Sequence, residues 1–549
     1  MSHLDHARTL VTALQDVVDT ATASLAERCV DDGRVSTSLI DQHQTVAYDL
    51  ASVASAVAAA GHLLVYGEQG DQEAALALAW AADVAADLQS RVAGRAAAWG
   101  LDADVLAGAE AALVAGRDPV FLDSLAERVL ASGEAGPRHL AEDLEMVRQT
   151  FRRFAEDKVV PVAEEVHRND QDIPEHVIGG LAELGCFALS IPEAYGGFAA
   201  GGEDELLNMV LVTEELSRGS LGVAGSLITR PEIIGTAILK GGTEQQKATW
   251  LPAIASGEKM CGVAVTEPDH GSDVAGVKVT ARRDGDDWVV DGVKTWCTFG
   301  GRADYLLVLA RTDPDRSLGH RGLSLFVVEK PSFAGHAWTA EQDGTGGRME
   351  ARAIPTIGYR GMHSFEISFE GWRVPHANLI GEDDGLGRGF YLQMQAFANA
   401  RLQTAARALG VMQSALEHAT GYAKQRHVFG TPLAAYELNR TKIVRMAAIV
   451  AACRVFATEV ARQLARGDDG AQLAASQVKQ LACRVAEWVT REAQQLHGGY
   501  GYAEEYTVSR LFVDARVLSI FEGADEVLAL RVIARTLLGD ALARAADAR

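Results

Sequence analysis

The sequence predicts a mainly α-helical chain with a central β domain, and three observations predict it. Ala, Leu and Val recur at helical spacing from His3 to about Leu130. Runs of alternating apolar and polar residues, bounded by Gly-containing turns, are confined to residues 263–385. From Gly387 onward three long amphipathic patterns return. At 549 residues the chain exceeds one core, so about three or four domains are expected. We divide it into an N-terminal helical extension (1–136), a helical domain (137–262), a β domain (263–385) and a C-terminal helical bundle (386–549).

Residues 1–136 read as four or five helices, carried by runs such as LVTALQDVVDTATASLAERCV, with turns near 31–34 and 67–71. SGEAGP, residues 132–137, closes the extension because Gly and Pro together terminate helices. No cluster of chemistry-bearing side chains stands out there, so packing or oligomer contact is its expected role. The next helical region is punctuated by Pro161, by IPEAYGG and by Gly241 and Gly242. Within it, EELSRGSLGVAGSLITRPEI reads as one long helix stopping at Thr229, Arg230 and Pro231, since the residue before a proline is biased away from helix. The β domain has the size of a small barrel or sandwich, with hairpin turns expected at Asp284 and Gly285 and at Asp291 and Gly292. Residues 332–355 form a long, irregular, Gly-rich excursion.

A net charge of −23 argues against binding nucleic acid through its phosphates, and against attachment to anionic lipid. Cys29, Cys186, Cys261, Cys297, Cys453 and Cys483 are scattered without a CxxC pair, so neither a disulfide framework nor a metal site is expected. No secretory pattern follows Met1, and the cytoplasm is the expected compartment. The apolar run near 50–66 holds small and polar residues, and no segment reaches the roughly 20 apolar residues of a membrane span.

Three stretches carry chemistry. QLHGGYGYAEEYTVSRLFVDARVLSIFEGADE supplies a Gly-rich turn, an Arg/Asp-rich helix and one carboxylate, Glu522, between Phe521 and Gly523. Beside a bound cofactor that apolar setting would raise its pKa and make it a base able to take a proton from carbon. Glu522 also reads as a residue that merely starts a helix. AVTEPDHGSDVAGVKV places Thr266, Gly271 and Ser272 on an irregular turn, where hydroxyls and backbone N–H groups can face a polar heterocycle and its phosphates. In VDGVKTWCTFGG, Trp296 and Thr298 alternate along a strand and so share a face, offering an aromatic plane beside a hydroxyl. A turn plus a core Trp remains the plainer alternative.

In these stretches, together with IPEAYGG, IGYRGMHSFEISFEGWRVP and QRHVFGTPLAAY, the chain resembles the acyl-CoA dehydrogenase family from about Glu142 to Arg549. The resemblance implies a helical domain, a β-barrel domain and a C-terminal four-helix bundle, to which this chain adds its N-terminal helices. It also implies FAD held between the β domain and the last bundle. Thr266 and Thr298 then correspond to hydrogen-bond partners of the flavin ring, Trp296 to its stacking partner and Ser272 to a contact near the pyrophosphate. Arg426 and Phe429, with Gln495, Gly498 and Gly499, correspond to groups lent to a neighbouring subunit for the adenine end, implying a homodimer or homotetramer. Glu522 falls on the catalytic position. Relatives that place the base just before an Arg in the long bundle helix would put it at Ala400, before Arg401, which leaves Glu522 as the candidate. Ala524 and Thr431 depart from the family's usual Thr and Lys.

The N-terminal extension, the 332–355 excursion and TIGYRGMHSFE are similar to the subgroup that oxidises (2S)-methylsuccinyl-CoA to mesaconyl-CoA in the ethylmalonyl-CoA route. A substrate ending in a second carboxylate calls for a buried cation. Arg230 is the candidate, with Thr229 and Arg401 as further substrate contacts, and a helix C-terminal charge is the plainer reading of Arg230. Electron-transferring flavoprotein is the implied acceptor. An acyl-CoA dehydrogenase or oxidase for another short or branched acyl chain, and a DNA-associated stress protein on the same fold, stay open as alternatives.

Overall fold

Small side chains at helical spacing let helix axes approach closely, and the Ala-rich N-terminal runs form long helices packed in this way. The computed structural model describes residues 1–102, 104–199 and 201–547, so the last two residues of the expected bundle, 548 and 549, lie outside the described residues. The chain is mostly helical with a curled central β sheet. It divides into two units, one built from Met1–Glu142 and Thr404–Arg549, the other from Asp143–Gln403.

In the first unit, His3–Arg28, Gln44–Gly67, Asp71–Val92, Glu110–Arg117 and Pro119–Ser132 are joined by two shorter helices, Thr37–Gln42 and Ala96–Trp99. Ser2 opens the first with a capping box, and Gly133, at φ +72°, ends Pro119–Ser132 in the left-handed conformation that glycine adopts without strain. Of these, Gln44–Gly67, Asp71–Val92 and Pro119–Ser132 pack on Glu437–Arg466, and Gln44–Gly67 also packs on Ala471–Leu496. Lys424 Nζ donates to the Leu130 carbonyl at 2.6 Å, and Arg445 Nε lies 2.7 Å from Asp83. The helix Gln44–Gly67 does have the length and composition to cross a bilayer, contrary to the expectation that no segment would. Yet 72% of its most apolar window is buried inside the protein. Its Ser52 and Ser55 hydroxyls bond Gln480, both at 3.1 Å, which is how a core helix satisfies its polar groups.

The second unit stacks helices on the sheet. One sheet face packs Leu307, Leu309, Leu325 and Val327 against Ile233, Ile238, Trp250 and Leu251 of the helices; the other closes over Trp288, Phe326, Phe365 and Trp372. The strand order is Cys261–Ala264, Tyr305–Arg311, Thr280–Asp284, Asp287–Thr298, Ser364–Pro375, Arg348–Ala353 and Ala337–Glu341, with Leu323–Glu329 pairing to Tyr305–Arg311.

Three expectations are corrected here. The helix read through residues 214–231 is three pieces: Glu205–Gly219, a wide turn at Leu221–Gly225, and Thr229–Gly241. Pro231 sits in the first turn of the last piece, where its missing N–H is no loss, so Thr229 and Arg230 open a helix rather than end one. Asp284 and Gly285 do form the expected hairpin, but Asp291 and Gly292 lie inside the strand Asp287–Thr298. There Asp291 Oδ1 accepts the Gly371 N–H at 2.7 Å across a bulge. The excursion 332–355 is a β-hairpin, Ala337–Glu341 with Arg348–Ala353, whose alternation was obscured by the glycines at its tip.

Gly292 has φ +130°, and a Cβ there would come within 2.8 Å of Val279 Cγ2; Gly285, at φ +66°, has open space around it. Gly292→Ala should therefore cost about 2–4 kcal/mol, from strain and overpacking together. Gly285→Ala should cost about 1 kcal/mol, from strain alone. Denaturant unfolding of the two variants checks this order, and equal losses would contradict it.

Candidate active site

Buried charge fixes the first group of predicted site residues, all in the second unit. Lys294, fully buried, donates from Nζ to the Val265 carbonyl at 2.9 Å and to Glu267 Oε1 at 2.8 Å. The Glu267 carboxylate also accepts the N–H groups of Lys278 and Val279, at 2.6 and 2.9 Å. Burial pushes the Lys294 ammonium below its ordinary pKa, and the Glu267 charge opposes that shift. This knot holds the turn carrying half-buried Thr266 and exposed Ser272. The Thr295 N–H closes the contact by donating to the Thr266 carbonyl at 2.9 Å.

Beside that contact the strand is irregular. Cys297 pairs with Phe365 and Lys294 with Ile367, so one extra residue is accommodated between them. Trp296 lies in this bulge at φ +56°, with 54% of its surface exposed, and undisturbed alternation does not run through it. Thr298 is buried, its Oγ1 3.0 Å from Ser364 Oγ. An indole held outward in a strained conformation, next to the Thr266 turn, is a surface that a flat ring can cover.

A second group surrounds Arg230, 6% exposed at the start of its helix. Nη1 donates to the Tyr359 hydroxyl at 3.1 Å and, at 3.4 Å, to the Ser226 carbonyl. No carboxylate pairs with it among the described residues. A helix N-terminus disfavours a cation, so the dipole does not account for its position, and the C-terminal-charge reading falls. The Thr229 hydroxyl beside it is fully buried and has no hydrogen-bond partner among the described residues. Tyr359 itself has φ +60°. Arg401 is partly buried on the helix Gly389–Gln425, and Ala400 is fully buried in the apolar cluster between helices and sheet.

The third group belongs to the first unit. Glu522 has φ +56° and a side chain 8% exposed. Its surroundings are not only apolar. The Arg407 guanidinium, fully buried, lies 3.3 Å from Oε1, stands 4.6 Å over the Phe521 ring and donates to Thr404 Oγ1 at 2.6 Å. Oε2 is buried with no hydrogen-bond partner among the described residues. Lys479 Nζ donates to the Gly523 carbonyl at 2.6 Å, pinning the backbone one residue on. Burial lowers the Lys479 pKa, opposed by nearby Cys483, Glu522 and Asp525. Glu522 therefore does not merely begin a helix; the next helical turn starts at Asp525.

Arg426, Phe429, Gln495, Gly498 and Gly499 are all exposed, Phe429 at 96% on the tip of the small hairpin His427–Val428 and Thr431–Pro432. Tyr422 and His497 stack at 4.1 Å, drawing the RHVFG and QLHGG segments together. The structure thus brings Thr266 against the Thr295–Trp296 segment, sets Thr229 beside Arg230 and draws the two exposed loops together, whereas buried Thr298 does not share the exposed face of Trp296 as the strand alternation predicts. Sequence reasoning missed Glu267, Lys294, Tyr359, Arg407 and Lys479. The legible signal was a charge inside an apolar helical run, in TAARALGVM and SQVKQLAC.

The sequence matches three family profiles: acyl-CoA dehydrogenase N-terminal domain at residues 141–258, middle domain at 262–371 and C-terminal domain at 387–538. It is 39% identical over 542 residues to the (2S)-methylsuccinyl-CoA dehydrogenase of Cereibacter sphaeroides, covering 96% of each chain. Butyryl-CoA dehydrogenase from Megasphaera elsdenii superimposes with TM-score 0.66 and 31% identity, covering 73% of this chain and 100% of that one. A glutaryl-CoA dehydrogenase in complex with glutaryl-CoA gives TM-score 0.65 and 31% identity, covering 74% and 97%.

Arg407→Leu should cost about 3–5 kcal/mol of stability, because it strands the Glu522 carboxylate without its cation. Adding Glu522→Gln should recover part of that loss. A double-mutant cycle of unfolding free energies checks the coupling, and strictly additive effects would show the pair to be uncoupled.

Proposed function

Because the chain belongs to the acyl-CoA dehydrogenase family, whose members act on the CH–CH bond of acyl-CoA thioesters, we propose that its substrate is a short, branched acyl-CoA ending in a second carboxylate. The reaction we assign is the conversion of (2S)-methylsuccinyl-CoA to mesaconyl-CoA, the substrate named for the Cereibacter sphaeroides relative. The observation that carries this reading is Arg230, a buried guanidinium bonded to neutral oxygens. A buried cation without a counter-ion is costly, and a bidentate carboxylate from the substrate repays that cost. The Thr229 hydroxyl is a second donor for the same group, and Arg401 completes the proposed substrate set. Similarity to the Cereibacter enzyme over nearly the full length, N-terminal helices included, supports the same substrate class.

In this reading Glu522 is the base. Arg407 stabilises the ionised carboxylate through Oε1, and Oε2, without a partner, receives the proton from the α carbon. Lys479 acts indirectly, by holding the Gly523 carbonyl and with it the strained turn. Thr266, Ser272, Trp296 and Thr298 fit a flat, hydrogen-bonding cofactor: a half-exposed indole stands beside hydroxyls on a turn stapled by a buried ion pair. Bound there, FAD would supply the acceptor for the hydride leaving the β carbon. Arg426, Phe429, Gln495, Gly498 and Gly499 project on exposed loops, in keeping with reading them as groups that hold the adenine end for a second copy in a homodimer or homotetramer. Electron-transferring flavoprotein is the proposed acceptor and the cytoplasm the proposed compartment.

Glu522→Gln should keep its flavin, seen as a yellow protein, and lose about 10²–10⁴-fold in kcat. A variant that kept both colour and turnover would refute the role of the base. Arg230→Ala should lose about 2–4 kcal/mol of transition-state stabilisation, roughly 30- to 1,000-fold in kcat/KM, toward methylsuccinyl-CoA while butyryl-CoA changes little. Equal handling of methylsuccinyl-CoA by variant and parent would remove Arg230 from the substrate site.

A further inference from the structure

Away from the residues used so far, three separate segments of the second unit bring two imidazoles and a carboxylate together. Asp170 caps the helix Val160–Asn169 at φ +51°. His336 directly precedes the strand Ala337–Glu341, and His363, at φ +40°, directly precedes Ser364–Pro375. One ligand-capable atom from each lies within 4.8 Å of the others. His336 Nε2 is 3.4 Å from Asp170 Oδ2, and His363 Nδ1 is 3.8 Å from Asp170 Oδ1. The two rings meet edge-on, with centroids 4.4 Å apart and planes at 79°.

From this geometry we propose that Asp170, His336 and His363 form a binding site for a single divalent transition-metal ion, Zn²⁺ in the first instance. Metal–ligand bonds of about 2.0–2.2 Å in a tetrahedral site separate ligand atoms by roughly 3.3–3.6 Å. The His336 pair, on Asp170 Oδ2, already stands at that spacing, and the His363 pair, on Oδ1, is slightly wider at 3.8 Å. The remaining separation closes by rotation of His336, whose side chain is 52% exposed and has room to turn. That exposure also provides the entry path and leaves the remaining coordination to water.

The surroundings of His363 prepare it as a ligand. Its other ring nitrogen, Nε2, lies 3.2 Å from Asp172 Oδ1, while Asp172 Oδ2 accepts the Gly335 N–H at 2.6 Å. A carboxylate this close to Nε2 is placed to take up that ring N–H once Nδ1 is given to a metal, the arrangement in which metal-bound imidazoles are usually oriented. The Gly335 bond fixes the residue next to His336 by the same carboxylate. Lys330 pins the base of this loop: its Nζ donates to the carbonyls of Gly301, Ala303 and Pro331 at 2.9, 2.6 and 2.9 Å and lies over the Phe333 and Trp338 rings.

Arg360 is the competing partner for Asp170, and it is engaged elsewhere. Its Nε is 3.7 Å from Asp170 Oδ1 but donates to the Thr356 carbonyl at 3.1 Å, while Nη1 donates to the His167 carbonyl at 2.8 Å. Two imidazole nitrogens and one carboxylate oxygen suit Zn²⁺, Co²⁺ or Ni²⁺, whereas Mg²⁺ and Ca²⁺ prefer oxygen alone. The ion would tie the end of a helix to the two segments that lead into neighbouring parts of the sheet.

The test uses the full-length, flavin-loaded protein, stripped with a chelator and titrated with Zn²⁺ by calorimetry, with Mg²⁺ as control. Saturable binding of a single Zn²⁺ per chain, with a rise in Tm that Mg²⁺ does not produce, is the expected result. Asp170→Asn and His336→Ala should abolish it, and Asp172→Asn should weaken it by about 10- to 100-fold. His336 is exposed enough that its replacement leaves the fold intact, which circular dichroism checks. Absence of saturable Zn²⁺ binding by the parent, or undiminished binding by His336→Ala, would overturn the proposal. None of these readouts depends on the identity of the acyl-CoA.

Discussion

A charge taken out of water must be met by an opposite charge or by aimed dipoles, and this constraint organises the functional parts of the chain. Lys294 and Glu267 meet each other and, through backbone acceptors and donors, fix the turn that carries Thr266. Arg407 meets Glu522, and Lys479 meets the carbonyl that follows it. In the helical part of the second unit, fully buried Glu215 sits 3.0 Å from both Arg148 and Arg218. Arg230 differs in kind, because its charge is met by a phenol and a carbonyl. This is the feature on which the proposed carboxylate-ended substrate rests.

The second regularity is backbone strain. Trp296, Tyr359, Glu522 and Phe429 all have positive φ without being glycine, and all lie in segments to which chemistry is assigned. Each such conformation costs on the order of 1–3 kcal/mol and persists only where its surroundings hold it. For Trp296 the surroundings are a bulge beside a stapled turn; for Glu522 they are Arg407 and Lys479. At Trp296 and Glu522, strain and buried charge lie side by side.

The helical character, the central sheet and the family were legible because they rest on local signals: 3.6-residue and 2-residue periodicity, and ordered motifs. Residues 332–355 look irregular in sequence because the glycines at the hairpin tip interrupt a short alternation. Asp291 and Gly292 look like a turn locally, and only the opposing bulge at Gly371 reveals a strand. Pro231 reads locally as a stop, although the same residue is at home in a first helical turn. The partners of Glu522 and Arg230 were invisible for a different reason. Arg407 and Glu522, like Arg230 and Tyr359, are joined by packing across more than a hundred residues of chain, which no local pattern encodes. Asp170, His336 and His363 are likewise scattered through the sequence and carry no ligand spacing.

We propose that a buried cation, Arg230, selects an acyl-CoA with a second carboxylate. It is tested most directly by measuring kcat/KM of the purified, flavin-loaded parent protein for methylsuccinyl-CoA, butyryl-CoA, isobutyryl-CoA and glutaryl-CoA with an artificial electron acceptor. The account predicts that methylsuccinyl-CoA exceeds both monocarboxylic substrates by at least about 30-fold, the loss expected when a buried charge is left without its partner. Preference for butyryl-CoA or isobutyryl-CoA would contradict it.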